Sequence, residues 1–185
     1  MAEVIDVANY ILEISRDDSG DGEYELISHM KLQKLVYFCQ GYSLALFDKP
    51  LFPEPIEAWE HGPVCPKLYK ILKVYGSSPI TAIVDPDKMK LEESEKQLIN
   101  MVYSKYGQYS ASRLRAITHN EGPWNRIPGT TEIPIGIMAE YFLSLIEVKA
   151  YPSSSDEKRD LLNILEQAET NGEIDLSQYC IPMDR

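Results

Sequence analysis

Apolar residues recur with helical spacing along most of this chain, and one proline-rich stretch interrupts them. Val4, Val7, Ala8 and Ile11 fall at i, i+3, i+4 and i+7, so residues 3–15 read as an amphipathic helix. Ser28 is a candidate N-cap for residues 29–47. There Leu32, Leu35, Val36, Cys39, Ser43 and Leu46 form one stripe, and Met30, Tyr37, Phe38, Leu44 and Phe47 fill much of the remainder. A helix apolar on most sides belongs at the centre of a domain. Lys31 and Lys34 share its narrow polar edge, either as a solvated stripe or as a cationic patch. Gly41 lies inside the pattern at a cost of up to about 1 kcal/mol relative to alanine, which points to another backbone passing close.

Pro50, Pro53, Pro55 and Pro63 exclude a long helix over residues 48–64. Ile56, Ala58 and Trp59 suggest a short strand, paired with Pro50-Leu51-Phe52 as a hairpin. Pro66 suits the first turn of a helix carrying Leu68, Ile71, Leu72 and Tyr75, which Gly76 stops. Ile80 to Val84 reads as an isolated extended stretch. Residues 92–106 read as a helix with Leu98, Ile99, Val102 and Tyr106 inward. Ser110 caps a short helix containing Leu114 and Ile117, His119 to Trp124 form a turn with an aromatic anchor, and Met138, Tyr141, Phe142 and Leu145 repeat the helical spacing. Ser154 and Glu157 form a capping box for a last helix, Asp156–Glu169, after the linker-like Tyr151-Pro152-Ser153-Ser154-Ser155. The expected fold is mainly α: a compact multi-helix domain around a central apolar helix, with a small β-hairpin. Residues 1–150 form the domain, and 151–185 a linker, C-terminal helix and acidic tail.

Charge narrows the partners. The formal net charge is -11, so nucleic acid phosphate should repel the chain. No apolar run approaches the ~18 residues of a membrane span, and the N-terminus lacks the basic region of a secretory signal. Three widely spaced cysteines, Cys39, Cys65 and Cys180, argue against a disulfide framework and fit a reducing cytoplasm.

The search for chemistry finds no convergent set. His61 and Cys65 could form a nucleophile pair, but Pro63 stands between them and neither is read at a strand-to-helix elbow. The alternative is a histidine bonded to a turn and a cysteine packed as a small apolar group. His29, His61 and His119 stand alone, so no zinc pattern forms, and no phosphate-binding glycine loop occurs. Glu57 and Glu60 beside Trp59 read as solvated carboxylates. No cofactor is implied. Trp59, Tyr69, Trp124 and Arg126 are candidate contact residues, since such side chains dominate interface energetics; packing onto the helices is the other reading of both tryptophans.

Lys31-Leu32-Gln33-Lys34-Leu35-Val36-Tyr37-Phe38 and Glu57-Ala58-Trp59-Glu60-His61-Gly62-Pro63-Val64, followed by Pro66-Lys67-Leu68-Tyr69, resemble the Panacea antitoxin domain, also called the SocA-like domain. Ile117-Thr118-His119-Asn120-Glu121-Gly122-Pro123-Trp124 resembles its later segment, and the likeness spans about residues 4–146. It implies a prokaryotic or phage antitoxin, not an enzyme, that binds a cognate protein toxin directly or delivers it as an adaptor to a ClpXP-type protease. By position, Lys31, Gln33, Lys34, Trp59, His61, Gly62, Pro63 and Trp124 match the family pattern, and the match leaves open whether they touch toxin or hold the domain together. The acidic loop Asp17–Ser28 is longer than the family pattern, and the helix after Tyr151 lies beyond it; either could be partner-specific. The rival readings are a phage or mobile-element regulator binding another host factor, a small hydrolase using His61, and a DNA-binding autoregulator. The last lacks a recognition helix with a basic face.

Overall fold

The greasy segment after Ser28 is the axis of the molecule. In this computed structural model, which describes residues 2–17, 27–81, 90–120 and 122–149, helix α2 (His29–Phe47) is buried along nearly its whole length. Ser28 caps it by accepting a hydrogen bond from the Lys31 amide, and Asp48 ends it in the left-handed region at φ 51°. Around it pack α1 (Val4–Asp17), α3 (Pro66–Leu72), α4 (Glu93–Tyr106), α5 (Ala111–Asn120) and α7 (Ile135–Lys149). The inward stripe of α4 is the one its spacing predicts: Leu98, Ile99, Val102 and Tyr106 are buried. Glu92 and Glu95 close a capping box at its start, and the Ser110 hydroxyl accepts from the Arg113 amide at the start of α5.

Aromatic rings fill the space between α2, α4 and α7. Phe38 stacks on Tyr106 with centroids 4.1 Å apart, and Phe142 meets Tyr37 and Tyr42 edge-on. The Phe142 ring occupies the place a Cβ on Gly41 would take. The close neighbour of Gly41 is therefore a side chain, not the second backbone its sequence position suggested.

Two short strands make the β element. Strand β1 (Glu57–Trp59) pairs antiparallel with β2 (Gly62–Val64), with Trp59 opposite Gly62. The hairpin exists, but its second strand follows Trp59; it is not Pro50-Leu51-Phe52. That earlier segment is instead held on α2 by Gln40, whose Oε1 accepts from the Leu51 and Phe52 amides and whose Nε2 donates to the Phe52 carbonyl. The outer edge of β1 is covered by the segment before α7, through Ala58 N to Thr131 O and Ile133 N to Ile56 O, both 2.8 Å. After β2, Pro66 opens α3, a 3-10 turn (Lys73–Tyr75) follows, and Gly76 stops it at φ 54°.

The segment read as a turn from His119 is more helical than expected. Helix α5 runs through Asn120, and a single-turn helix α6 (Gly122–Asn125) carries Trp124. Among the described residues no helix is long and apolar enough to cross a membrane. The acidic residues 18–26, the stretch 82–89, Cys180 and the expected helix Asp156–Glu169 lie outside the described residues.

Gly41→Ala is expected to destabilise the fold by about 1–3 kcal/mol, because the overpacking against Phe142 outweighs the ~1 kcal/mol propensity gain. Urea denaturation of the variant checks this, and Gly41→Ala combined with Phe142→Leu should recover part of the loss.

Candidate functional site

The hairpin is fastened to α2 by polar side chains that have no water to bond. Gln33 is 1% exposed. Its Oε1 accepts from the Cys65 amide at 2.8 Å and its Nε2 donates to the Cys65 carbonyl at 3.4 Å. One residue on, Lys34 is equally buried and donates to the Pro63 carbonyl at 2.9 Å. Lys31 is 3% exposed. The two lysines are thus neither a solvated stripe nor a surface patch, and α2 places Lys34 under the hairpin. A buried peptide group without a partner costs about 1–3 kcal/mol, so these side chains substitute for the sheet neighbours that β2 lacks.

Gly62 is required at the turn for two reasons. Its φ of 96° disfavours any side chain, and a Cβ would stand 2.8 Å from Thr118 Oγ1 and 2.9 Å from Lys34 Cε. Among the described non-glycine residues only Asp48 has positive φ, so Glu60 and His61 keep ordinary backbone while Gly62 absorbs the reversal.

The tryptophans clamp the hairpin from both flanks. Trp59 donates from Nε1 to Glu57 Oε2 at 2.7 Å and packs on Tyr69 of α3 at 4.8 Å. Trp124 donates from Nε1 to the Trp59 carbonyl at 2.8 Å and stacks on His119 at 3.9 Å. Both tryptophans are partly buried. Between them opens a cleft of about 210 Å³, floored by Ala58 and rimmed by Glu60, Asn125, Ile127 and Gly129. His61 at the hairpin tip and Arg126 after α6 are exposed, and Arg126 reaches Glu140 at 4.0 Å.

The sequence candidates therefore divide. Trp59, His61, Tyr69, Trp124 and Arg126 present surface, whereas Lys31, Gln33 and Lys34 of α2 and Gly62 and Pro63 of β2 are buried. Sequence reasoning passed over Gln40, Arg115 and Thr118. A glutamine inside an otherwise apolar helix is itself a signal, because a buried amide must find partners. Arg115 and Thr118 carry no such mark, and only the packing of α5 on β2 brings Thr118 to Gly62 and Arg115 near Lys34.

Cys65 does sit at a strand-to-helix junction, between β2 and α3, contrary to the reading from sequence. Its side chain is fully buried, and burial pushes the thiol above its ordinary value. A thiol held protonated is a poor nucleophile, and among the described residues no hydrogen bond joins it to the exposed His61. Nor do the described residues gather a group of three or more His, Cys, Asp and Glu side chains that could hold a metal ion.

Burial, then the nearby Arg115 charge, lowers Lys34 to about 7, against about 10.4 in an unfolded chain. Between those values the unfolded chain binds the proton and the folded chain does not, so this group makes stability rise with pH. Below about pH 7 both states are protonated and its contribution is flat. The stability of the native chain minus that of Lys34→Met should therefore grow between about pH 7 and 10, by at most about 1.4 kcal/mol per pH unit. Parallel urea titrations measure it, and a flat difference would show that Lys34 keeps its proton when folded.

Comparison with known proteins fits this assembly of motifs. The family described as Antitoxin SocA-like, Panacea domain matches residues 32–125, the span from α2 through the hairpin to Trp124. The chain is similar to Antitoxin SocA of Caulobacter vibrioides (strain NA1000 / CB15N), with 36% identity over 123 residues, 56% of this chain and 63% of that relative. No solved structure matches. The chain belongs to the SocA-like Panacea domain family.

Proposed function

We propose that this chain is an antitoxin that neutralises a cognate protein toxin in the cytoplasm by direct binding, with no chemistry of its own. The observation that carries the reading is the cleft between Trp59 and Trp124, two partly buried aromatics positioned by hydrogen bonds in a family of antitoxins. Aromatic anchors locked before binding lose little freedom on association, and such residues supply most of an interface's energy. His61, Tyr69 and Arg126 extend the contact face. Lys31, Gln33, Lys34, Gly62 and Pro63 serve it from below by fixing the hairpin's position. Residues 1–150 form the binding body, and residues 151–185, with the acidic loop Asp17–Ser28, adapt it to its own toxin.

Co-expression with the product of the adjacent gene tests the proposal. Growth should be rescued and the two proteins should co-purify; a harmless neighbour and no co-purifying partner would overturn it. Toxin that stays abundant but inactive marks occlusion, whereas toxin that disappears only when a ClpXP-type protease is present marks delivery to the protease. Capture of a host factor without any growth-inhibiting partner would favour a phage or mobile-element regulator instead. Trp124→Ala and Trp59→Ala should each weaken the complex by about 2 kcal/mol or more, roughly thirtyfold, in calorimetry on variants with an unchanged circular dichroism spectrum.

A further inference from the structure

Basic side chains converge where β2 lies against α2 and α5, in a chain whose 29 acidic residues outnumber its 18 basic ones. The Lys34 ammonium and the Thr118 hydroxyl both approach the bare α-carbon of Gly62: a Cβ there would stand 3.0 Å from Lys34 Nζ and 2.8 Å from Thr118 Oγ1. Thr118 donates to the Arg115 carbonyl at 3.0 Å, which ties the same turn of α5 together. Arg115 Nε and His119 Nε2 are both buried with no hydrogen-bond partner. His61 stands exposed at the hairpin tip beside them. Burial first, then the charges of Arg115, Lys34 and His61, holds the His119 imidazole below its ordinary value. Among the described residues, no carboxylate lies within ion-pair distance of Lys34, His61, Arg115 or His119.

Arg115 keeps its charge, while Lys34 and His119 are pushed towards their neutral forms beside it; an anion brought to the guanidinium would relieve that repulsion and draw protons back onto both neighbours. Arginine's planar fork matches a carboxylate in a bidentate way, and a neighbouring imidazole N–H adds a second donor, which gains charge once an anion raises its proton affinity. We propose that Arg115 and His119, backed by Lys34 and flanked by His61, form a receptor for a carboxylate, an Asp or Glu side chain projected by the protein partner. This rests on the binding function above and deepens it: the Trp59–Trp124 cleft takes an apolar side chain while the adjoining cationic seam fixes its register through one acidic residue.

The probe is a short Glu-Gly repeat peptide, titrated into the isotope-labelled full chain at constant ionic strength. The His61 and His119 ring resonances report on it, and the matching Gln-Gly peptide is the control. Saturable shifts with the Glu peptide alone are expected. Arg115→Gln should weaken them about tenfold or more, and Arg115→Lys should restore part of the affinity. Shifts that do not saturate, that appear equally with the Gln peptide, that persist unchanged in Arg115→Gln, or that saturate at lower concentration with inorganic phosphate would overturn the proposal. A chain that rescues growth from its toxin yet ignores the Glu peptide loses only this inference. One that binds the peptide but has no toxin keeps the receptor and loses the function.

Discussion

Everything on the hairpin side of this molecule depends on how main-chain polar groups are satisfied away from water. The chain leaves α2 at Asp48 and does not regain a long regular element until α3, and the two-stranded pairing between cannot satisfy its own backbone. Gln40, Gln33, Lys34 and Ser43 supply the missing partners from one helix, gripping Phe52, Cys65, Pro63 and Lys49 in turn. Gln33 and Gln40 are two turns apart on α2, so a single helical face works as a template for irregular chain. Removing one amide would strand a buried carbonyl and amide together.

The helices were legible because their packing follows a local period. Leu98, Ile99, Val102 and Tyr106 face inward as their spacing requires, and Ser28, Ser110 and Pro66 mark helix starts by chemistry confined to one turn. The hairpin was only half legible. Its first strand shows in Ile56, Ala58 and Trp59, but the partner depends on which segment Gln40 removes from competition. A local pattern does not carry that long-range fact. Lys34 misled for the same reason: a lysine on a helix defaults to solvent, and only the position of the Pro63 carbonyl explains its burial. The candidate surface was partly visible in Trp59 and Trp124, whereas the part played by Arg115 and Thr118 arises from packing alone.

Charge in this protein is distributed unevenly. The acidic excess over the whole chain suits solubility, while Lys34, Arg115 and His119 gather beside the hairpin, near His61 at its tip. This seam holds a close steric fit, at Gly62. Rigidity and local electropositivity are thus produced by the same few contacts.

The template formed by α2 has an evolutionary corollary. Gln33, Gln40 and Lys34 hold peptide groups and ignore the side chains those peptides carry. The outward residues of the hairpin, Glu60 and His61, can therefore be exchanged without unseating it. A mounting indifferent to its cargo lets one scaffold present a different surface by altering a handful of letters, with no need to reinvent the body beneath.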